Sequence, residues 1–318
     1  MDLSLRMLRY VVAAADCGHV TEAARRLRVS QPSVSSAIAE LETLTGVQLF
    51  VRQHARGVRL TPAGISVIND ARLLLKRAHD FMQSAQELGG TVAGDIAVGS
   101  FLTLAVRFMP TLLSRFAQLH PRVDVTLHEG DQQELLAMLL AGKIELALAY
   151  NFALTDEVVA QPLAELPPFV VVSATHPLAR RRSVSLRELA PEPFVLLDLP
   201  YSRDYFFGLF HQAGVEPRVV FRTRSQELIR GLVAHGHGYG IQNAISATTT
   251  AYDGGEIAVL RIEEELPPTR IMSVQLKQNA LRPAVEAFAL FLKEAFAPNG
   301  VFAPGSITAP RIGAMKRL

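Results

Sequence analysis

The sequence predicts a multidomain chain: a small, mainly helical N-terminal unit, one long helix, and an α/β region of alternating strands and helices. Three observations carry this. Apolar residues first recur at helical spacing, then fall on an unbroken 4-3 repeat from Val67 to Leu88, and from Asp95 alternate between short strand-like runs and helical ones.

In the first unit, Leu5, Leu8, Val11, Val12 and Ala15 lie on one helical face, and Gly18 stops that helix. Thr21 is read as the cap of a second helix over 22–27, with Glu22 near the positive end of its dipole. Arg28-Val29 makes a turn, and Ser30 caps a third helix whose first turn tolerates Pro32. Val29 and Val34 have the spacing of a hydrophobic staple. In that third helix Val34, Ile38 and Leu41 form the apolar stripe, while Pro32, Ser33, Ser36 and Glu40 face the other way. Two helices joined by a tight turn, the second polar on its outer face, form the pattern of a DNA-reading helix-turn-helix.

Residues 47–50 and 57–60 can pair as a short hairpin, or wing, carrying Arg52, Arg56 and Arg59. Residues 1–61 hold eight arginines and no lysine against five acidic groups, a net charge of +3, yet the stretch 32–44 has no basic residue. Flanking arginines are therefore expected to grip phosphates while short polar groups face the bases.

The long helix, 62–89, carries Val67, Ala71, Leu74, Ala78, Phe81, Ala85 and Leu88 as a heptad seam with charged flanks, ending at Gly89-Gly90. Such a seam predicts a dimerisation helix, although a helix lying on its own domain also permits it. Beyond it, β-α-β-α-β patterning over 96–150 predicts a parallel sheet whose ligand cleft lies at the carboxyl ends of its strands. Further strands are expected at 170–173, 194–197, 219–222, 240–242 and 272–276, helices near 204–213 and 226–235, and a closing helix at 281–297. The tail 298–318, rich in Pro, Gly and small residues, is expected to be mostly disordered.

Composition narrows the classes. With 32 basic and 30 acidic residues the net charge is only +2, so nucleic-acid binding must be local rather than a polyanion coat. The single cysteine, Cys17, excludes an internal disulfide framework and a cysteine metal cluster. No export-signal pattern and no apolar run near the roughly 18 residues of a membrane span is present, so a cytoplasmic protein is expected.

The stretch Ala23-Ala24-(x)2-Leu27-(x)2-Ser30-Gln31-Pro32-Ser33-Val34-Ser35 resembles the helix-turn-helix signature of LysR-type transcriptional regulators. Ile38-(x)2-Leu41-Glu42-(x)3-Gly46-Val47-Gln48-Leu49-Phe50-(x)-Arg52 and Leu60-Thr61-Pro62-Ala63-Gly64 continue it. The runs Leu112–Val123, Gly142–Ala147 and Gly236–Ile241 follow in the family's order, so the resemblance covers about residues 2–297. It implies a winged helix-turn-helix over 1–61, a dimerisation linker helix over 62–89, and an effector-binding domain over 90–297. That domain would be a two-subdomain sensor like type II periplasmic binding proteins, with subdomain I at 90–160 and 268–297 and subdomain II at 161–267. The implied partners are double-stranded operator DNA, a small effector, a second copy (with tetramers common) and RNA polymerase; no cofactor, metal or catalytic residue is expected. One departure matters: where many members carry Arg or Lys and then Gln, this chain has Ser36 and Ala37, which removes bidentate arginine–guanine contacts from that site.

The expected DNA contacts are thus Thr21, Arg28, Ser30, Gln31, Pro32, Ser33, Ser36, Glu40, Arg52 and Arg56. For the effector, Ser100, Phe101 and Thr103 open a helix after the first sensor strand, where backbone N–H groups suit an anion such as a carboxylate. The alternative reading of Ser100 is a helix cap only. Leu199, Tyr201, Ser202 and Arg203 would form the second wall, unless Arg203 pairs with Asp198 or Asp204, and Glu129 and Tyr150 stand at strand ends facing the same cleft, where each could equally be structural. His235 and His237 flank Gly236 without a third ligand and read as structural. A solute-binding protein, or an enzyme fused to a DNA-binding domain, is the alternative function; the former would not need residues 1–61.

Overall fold

The computed structural model describes residues 3–53, 57–86, 92–277 and 281–304. Arg56, the Gly89-Gly90 stop and the tail beyond residue 304 lie outside them. The chain divides into two compact units, Met1–Ala93 with Met138–Lys143, and Gly94–Ala137 with Ile144–Leu318.

The first unit begins with α1 (Leu5–Cys17), capped by Ser4, whose hydroxyl accepts from the Met7 amide, and closed by Gly18 at φ +65°. Helix α2 (Val20–Leu27) follows, and α3 (Gln31–Thr45) starts at Ser30 with Pro32 in its first turn. The cap of α2 is His19, without a side-chain hydrogen bond, so Thr21 sits inside the first turn rather than before it. Strands β1 (Phe50–Gln53) and β2 (Gly57–Leu60) pair antiparallel, Phe50 opposite Leu60. Gly57 is required at the tip: its φ is +88°, and a Cβ there would stand 2.2 Å from the Gly18 carbonyl oxygen. Val11, Ala14, Ala23, Val34, Leu49 and Ile68 make one fully buried core, with Val29 packed against it as the staple requires.

Helix α4 (Pro62–Gln86) contributes Ile68 and Ala71 to that core, with Val67 and Leu75 packed beside them. The first half of the heptad seam therefore lies on its own domain. The second half does not: Leu74 is 46% and Phe81 73% exposed.

In the second unit a five-stranded sheet has the order β4-β3-β5-β13-β6, with β3 (Gly94–Phe101), β4 (Val123–Gly130) and β5 (Leu146–Tyr150) parallel. Strand β13 (Thr269–Leu276) runs antiparallel to both β5 and β6 (Val158–Leu166). Helix α5 (Leu102–Leu119) follows β3, α6 (Gln132–Leu140) follows β4, and α10 (Pro283–Ala295) packs against α5 through Phe116 and Phe288, whose rings stand 4.8 Å apart. The second lobe holds a four-stranded sheet, β11 (Gly240–Gln242), β7 (Phe169–Ser173), β12 (Ile257–Ile262) and β8 (Ser183–Val184), plus a parallel pair of β9 (Pro193–Leu197) and β10 (Arg218–Thr223). Its helices are α7 (Leu186–Leu189), α8 (Ser202–Gln212) and α9 (Gln226–Ala234).

Two differences from the sequence reading have physical causes. The expected boundary between the lobes, at 160, falls inside β6, which completes the first sheet; the chain crosses between lobes only after Leu166. Strand β6 carries Pro162 at a register irregularity, the edge-strand position a proline tolerates. The other difference is at the tail, expected to be mostly disordered: its first residues, 298–304, are ordered, and the remainder lies outside the described residues. Phe302 is 5% exposed, stacks within 4.9 Å of Phe108 and 5.4 Å of Phe296, and its amide donates to the Ala295 carbonyl.

Candidate functional site

On the first unit, α3 exposes Gln31, Pro32, Ser33, Ser36 and Glu40, while Val34, Ala37 and Leu41 are buried beneath them. The helical period alone produces this split. The first turn is held by local bonds: the Ser30 hydroxyl accepts from the Ser33 amide and shares a 2.7 Å hydrogen bond with the Ser33 hydroxyl. The Gln31 amide nitrogen donates to the Ser35 hydroxyl at 2.8 Å, which leaves its carbonyl oxygen as an outward acceptor. Thr21 and Arg28 are exposed or partly so, and Arg28 closes α2 in the left-handed region at φ +56°. Arg25 is ion-paired to Glu22 at 2.8 Å on the surface, and Arg26 and Arg28 are exposed beside it around the turn. Arg52 stands on β1 opposite Val58, and Arg59 is exposed on β2.

A residue that sequence reasoning passed over ties the wing to this helix. The Glu42 carboxylate accepts from the Leu49 amide at 2.7 Å and the Phe50 amide at 3.2 Å. Thr61 fastens the other end, donating to the Gln48 carbonyl and accepting from the Gly64 amide. Glu42 thus ties the start of the wing to the reading helix, and Thr61 ties its end to residue 48 and to the first turn of the next helix.

In the second unit, four expected effector residues come together. Thr103 and Tyr150 share a 3.0 Å hydrogen bond, Phe101 lies edge-on to Tyr150, and Ser202 borders the same space with Tyr205 and Gln242. Burial raises the pKa of both phenols, that of Tyr205 to about 12, so both stay protonated donors. The space between these groups measures about 20 Å³, room for roughly one water. The lobes are fastened around it: Thr269 and Asn243 both donate to the Leu166 carbonyl at the crossing, and Asn243 donates to the Tyr205 hydroxyl.

Glu129 lines a wider cleft of about 560 Å³, which Thr103 also borders, between α5 and α9. Ser100, Leu199, Tyr201 and Arg203 line neither space. Ser100 belongs to β3 and not to a helix start; it is fully buried, and its hydroxyl reaches only the Phe101 carbonyl, at 3.4 Å. The residue preceding α5 is Phe101, whose side chain offers no acceptor for capping. Leu199 is buried, Tyr201 is exposed at φ +62°, and Arg203 takes the surface pairing with Asp198 and Asp204. Sequence reasoning missed Arg107, Arg224 and Arg230, which do border the wide cleft. The available signal was Arg230, a cation on the apolar stripe of Ile229 and Val233. Among the described residues, no group of acidic, His and Cys side chains is placed to hold a metal, and no helix is long and apolar enough to cross a membrane.

Comparison with known proteins agrees with both units. Residues 5–65 match the bacterial regulatory helix-turn-helix family of LysR type, and residues 89–297 match the LysR substrate binding domain. Over 293 residues, 92% of this chain and 96% of the other, the chain is 29% identical to a hydrogen peroxide-inducible genes activator of Pectobacterium carotovorum. The crystal structure of HinK, a LysR family transcriptional regulator from Pseudomonas aeruginosa, is similar at 34% identity and TM-score 0.63, with 93% of this chain and 99% of that one covered. The structure of a full-length OxyR cysteine-to-aspartate variant from the same organism is similar at 26% identity and TM-score 0.75, with 92% of this chain and 95% of that one covered. With two family domains in order and together spanning most of its length, the chain belongs to the LysR family of transcriptional regulators.

Proposed function

We propose that this regulator binds operator DNA sequence-specifically as a homodimer or homotetramer, and that a small effector held between the two lobes of its second unit changes that binding. It acts in the cytoplasm, where the DNA is, and carries out no catalysis. The observation that carries the DNA reading is the exposed face of α3, polar and free of cations, beside a wing and turn that supply arginines. Direct readout then falls to Gln31, Ser33, Ser36 and Glu40, with Thr21, Ser30 and Pro32 shaping the approach. Arg28, Arg52 and Arg56 serve the phosphates. DNA shape supplies the rest of the specificity.

The exposed half of the α4 seam supports pairing of two copies, because Leu74 and Phe81 stand on one helical face and are left open to solvent by their own unit. For the effector, Phe101, Thr103, Glu129, Tyr150 and Ser202 are the residues whose placement supports the reading. Two lobes joined by short crossings respond to any ligand that binds one relative arrangement more tightly than another. The single Cys17 excludes an internal disulfide switch. Footprinting on the DNA upstream of the protein's own gene tests this. Protection of two related half-sites on one face of the helix is expected; unstructured protection that spreads evenly with concentration would refute it.

A further inference from the structure

We infer that Glu40 makes α3 a cytosine reader: its carboxylate accepts from the exocyclic N4 amino group of one cytosine in each half-site. This rests on reading α3 as the base-contacting helix, and it names the base that the helix selects.

The first support is what α3 can donate. Guanine shows the major groove two acceptors, O6 and N7, so reading it takes strong N–H donors, most often from arginine or lysine. Residues 31–45 contain no Lys, Arg, His, Asn or Trp. The amide nitrogen of Gln31 donates to the Ser35 hydroxyl at 2.8 Å, within its own helix, and so is drawn away from the two-bond pairing with adenine N6 and N7. Thr43 spends its hydroxyl hydrogen on the Ala39 carbonyl at 2.8 Å, and the Ser30 and Ser33 hydroxyls share a hydrogen bond of 2.7 Å. The donors left are serine hydroxyls, which suit any base. The face is therefore one of acceptors, and acceptors call for base amino groups.

The second support is Glu40 itself. It is exposed on the side of α3 away from the buried Val34, Ala37 and Leu41, one turn beyond Ser36, and has no hydrogen-bond or ion-pair partner among the described residues. An ionised carboxylate only accepts. Near phosphates it costs affinity on every sequence, and the cost is offset only where a base presents an amino group. An element that repels all partners but one is a source of specificity. Two bases present an amino group in the major groove, adenine through N6 and cytosine through N4. Adenine N6 lies between its own N7 and thymine O4, both acceptors that repel a carboxylate. Cytosine N4 lies between guanine O6 and the apolar C5–H edge, so one side is open to the charge. Charge therefore selects cytosine.

Duplexes randomised through the region upstream of the protein's own gene are selected with full-length wild-type, Glu40→Ala and Glu40→Gln proteins. The preferred sites are then measured singly by fluorescence anisotropy at one salt concentration. Wild type should require a C·G pair at one position of each half-site, and a T·A pair there should weaken binding about tenfold. Glu40→Ala should lose the preference at that position alone and should bind scrambled DNA more tightly. Glu40→Gln, which gains a donor for adenine N7, should move the preference there to A·T. Both variants should keep the wild-type melting temperature, since neither removes a contact within the protein. An A·T preference of wild type at the position that Glu40 governs, or identical preferences in wild type and the alanine variant, would overturn the assignment and leave sequence reading by α3 intact. No sequence preference in any of the three proteins would overturn that reading and this assignment with it.

Discussion

Replacing Glu42 with alanine removes the acceptor that pins the wing to the reading helix, and the structure sets the size of the effect. Two amides lose a charged partner: that of Leu49, which is fully buried, and that of Phe50, 6% exposed. A hydrogen bond to a charged group contributes about 1.5–3 kcal/mol, and the bond to Phe50, at 3.2 Å, belongs at the weak end. Glu42 itself is only partly buried, which keeps the combined loss near roughly 3 kcal/mol rather than the full sum. Because every 1.4 kcal/mol is about tenfold, local opening of the hairpin should rise on the order of a hundredfold. Glu42→Gln keeps a neutral acceptor and should lose about half as much, roughly tenfold. Hydrogen exchange reads this directly at the amides of residues 49 and 50, with α1 amides as the unaffected control. DNA affinity should fall in the same order, alanine below glutamine below wild type. Wild-type exchange at both amides in the alanine variant would show that Glu42 does not hold the wing.

Leu74→Glu should yield monomers by sedimentation, because it puts a charge on the exposed half of the α4 seam; an unchanged dimer would remove the case for pairing through α4. Arg52→Ala and Arg56→Ala should each weaken specific and random DNA alike and reduce the salt slope by about 1; a loss confined to the specific site would reassign them to base reading. Phe302→Ala should destabilise the second unit by about 3–5 kcal/mol, seen as a lower melting temperature, since its ring fills a buried aromatic cluster with Phe108 and Phe296. An unchanged melting temperature would mean the segment after α10 contributes nothing.

The first unit was legible because its signals are local. Ser30, Pro32 and the Val29–Val34 staple specify where α3 begins, and its polar face follows from the helical period. What escaped were contacts between residues distant in sequence. Nothing near Glu42 says that its carboxylate reaches across to residues 49 and 50. Strand β6 escaped because Pro162 and its polar positions look unlike a buried strand, and only its place at the sheet edge explains them. Phe302 was hidden by its neighbours' composition: one ring in a small-residue segment found a hydrophobic site. In the sensor, Ser100 was misplaced by one structural step, since β3 runs on through Phe101 before the helix begins. That step moves the hydroxyl from a helix entrance into the core. The arginines of the wide cleft come from α5, from the loop before α9 and from α9 itself, and only the closed fold brings them together.

Whether α3 and the wing read a specific DNA sequence is tested most directly by fluorescence anisotropy. Purified full-length protein is titrated against a labelled duplex from the DNA upstream of its own gene, and against a scrambled duplex of equal length and composition, at one physiological salt concentration. The upstream duplex should be preferred by about a thousandfold or more, the lower end of what separates specific from non-specific binding. Gln31→Ala and Ser36→Ala should shrink that preference with little effect on the scrambled duplex. Equal affinity for the two duplexes, or a preference that survives both substitutions unchanged, would contradict sequence reading by this surface.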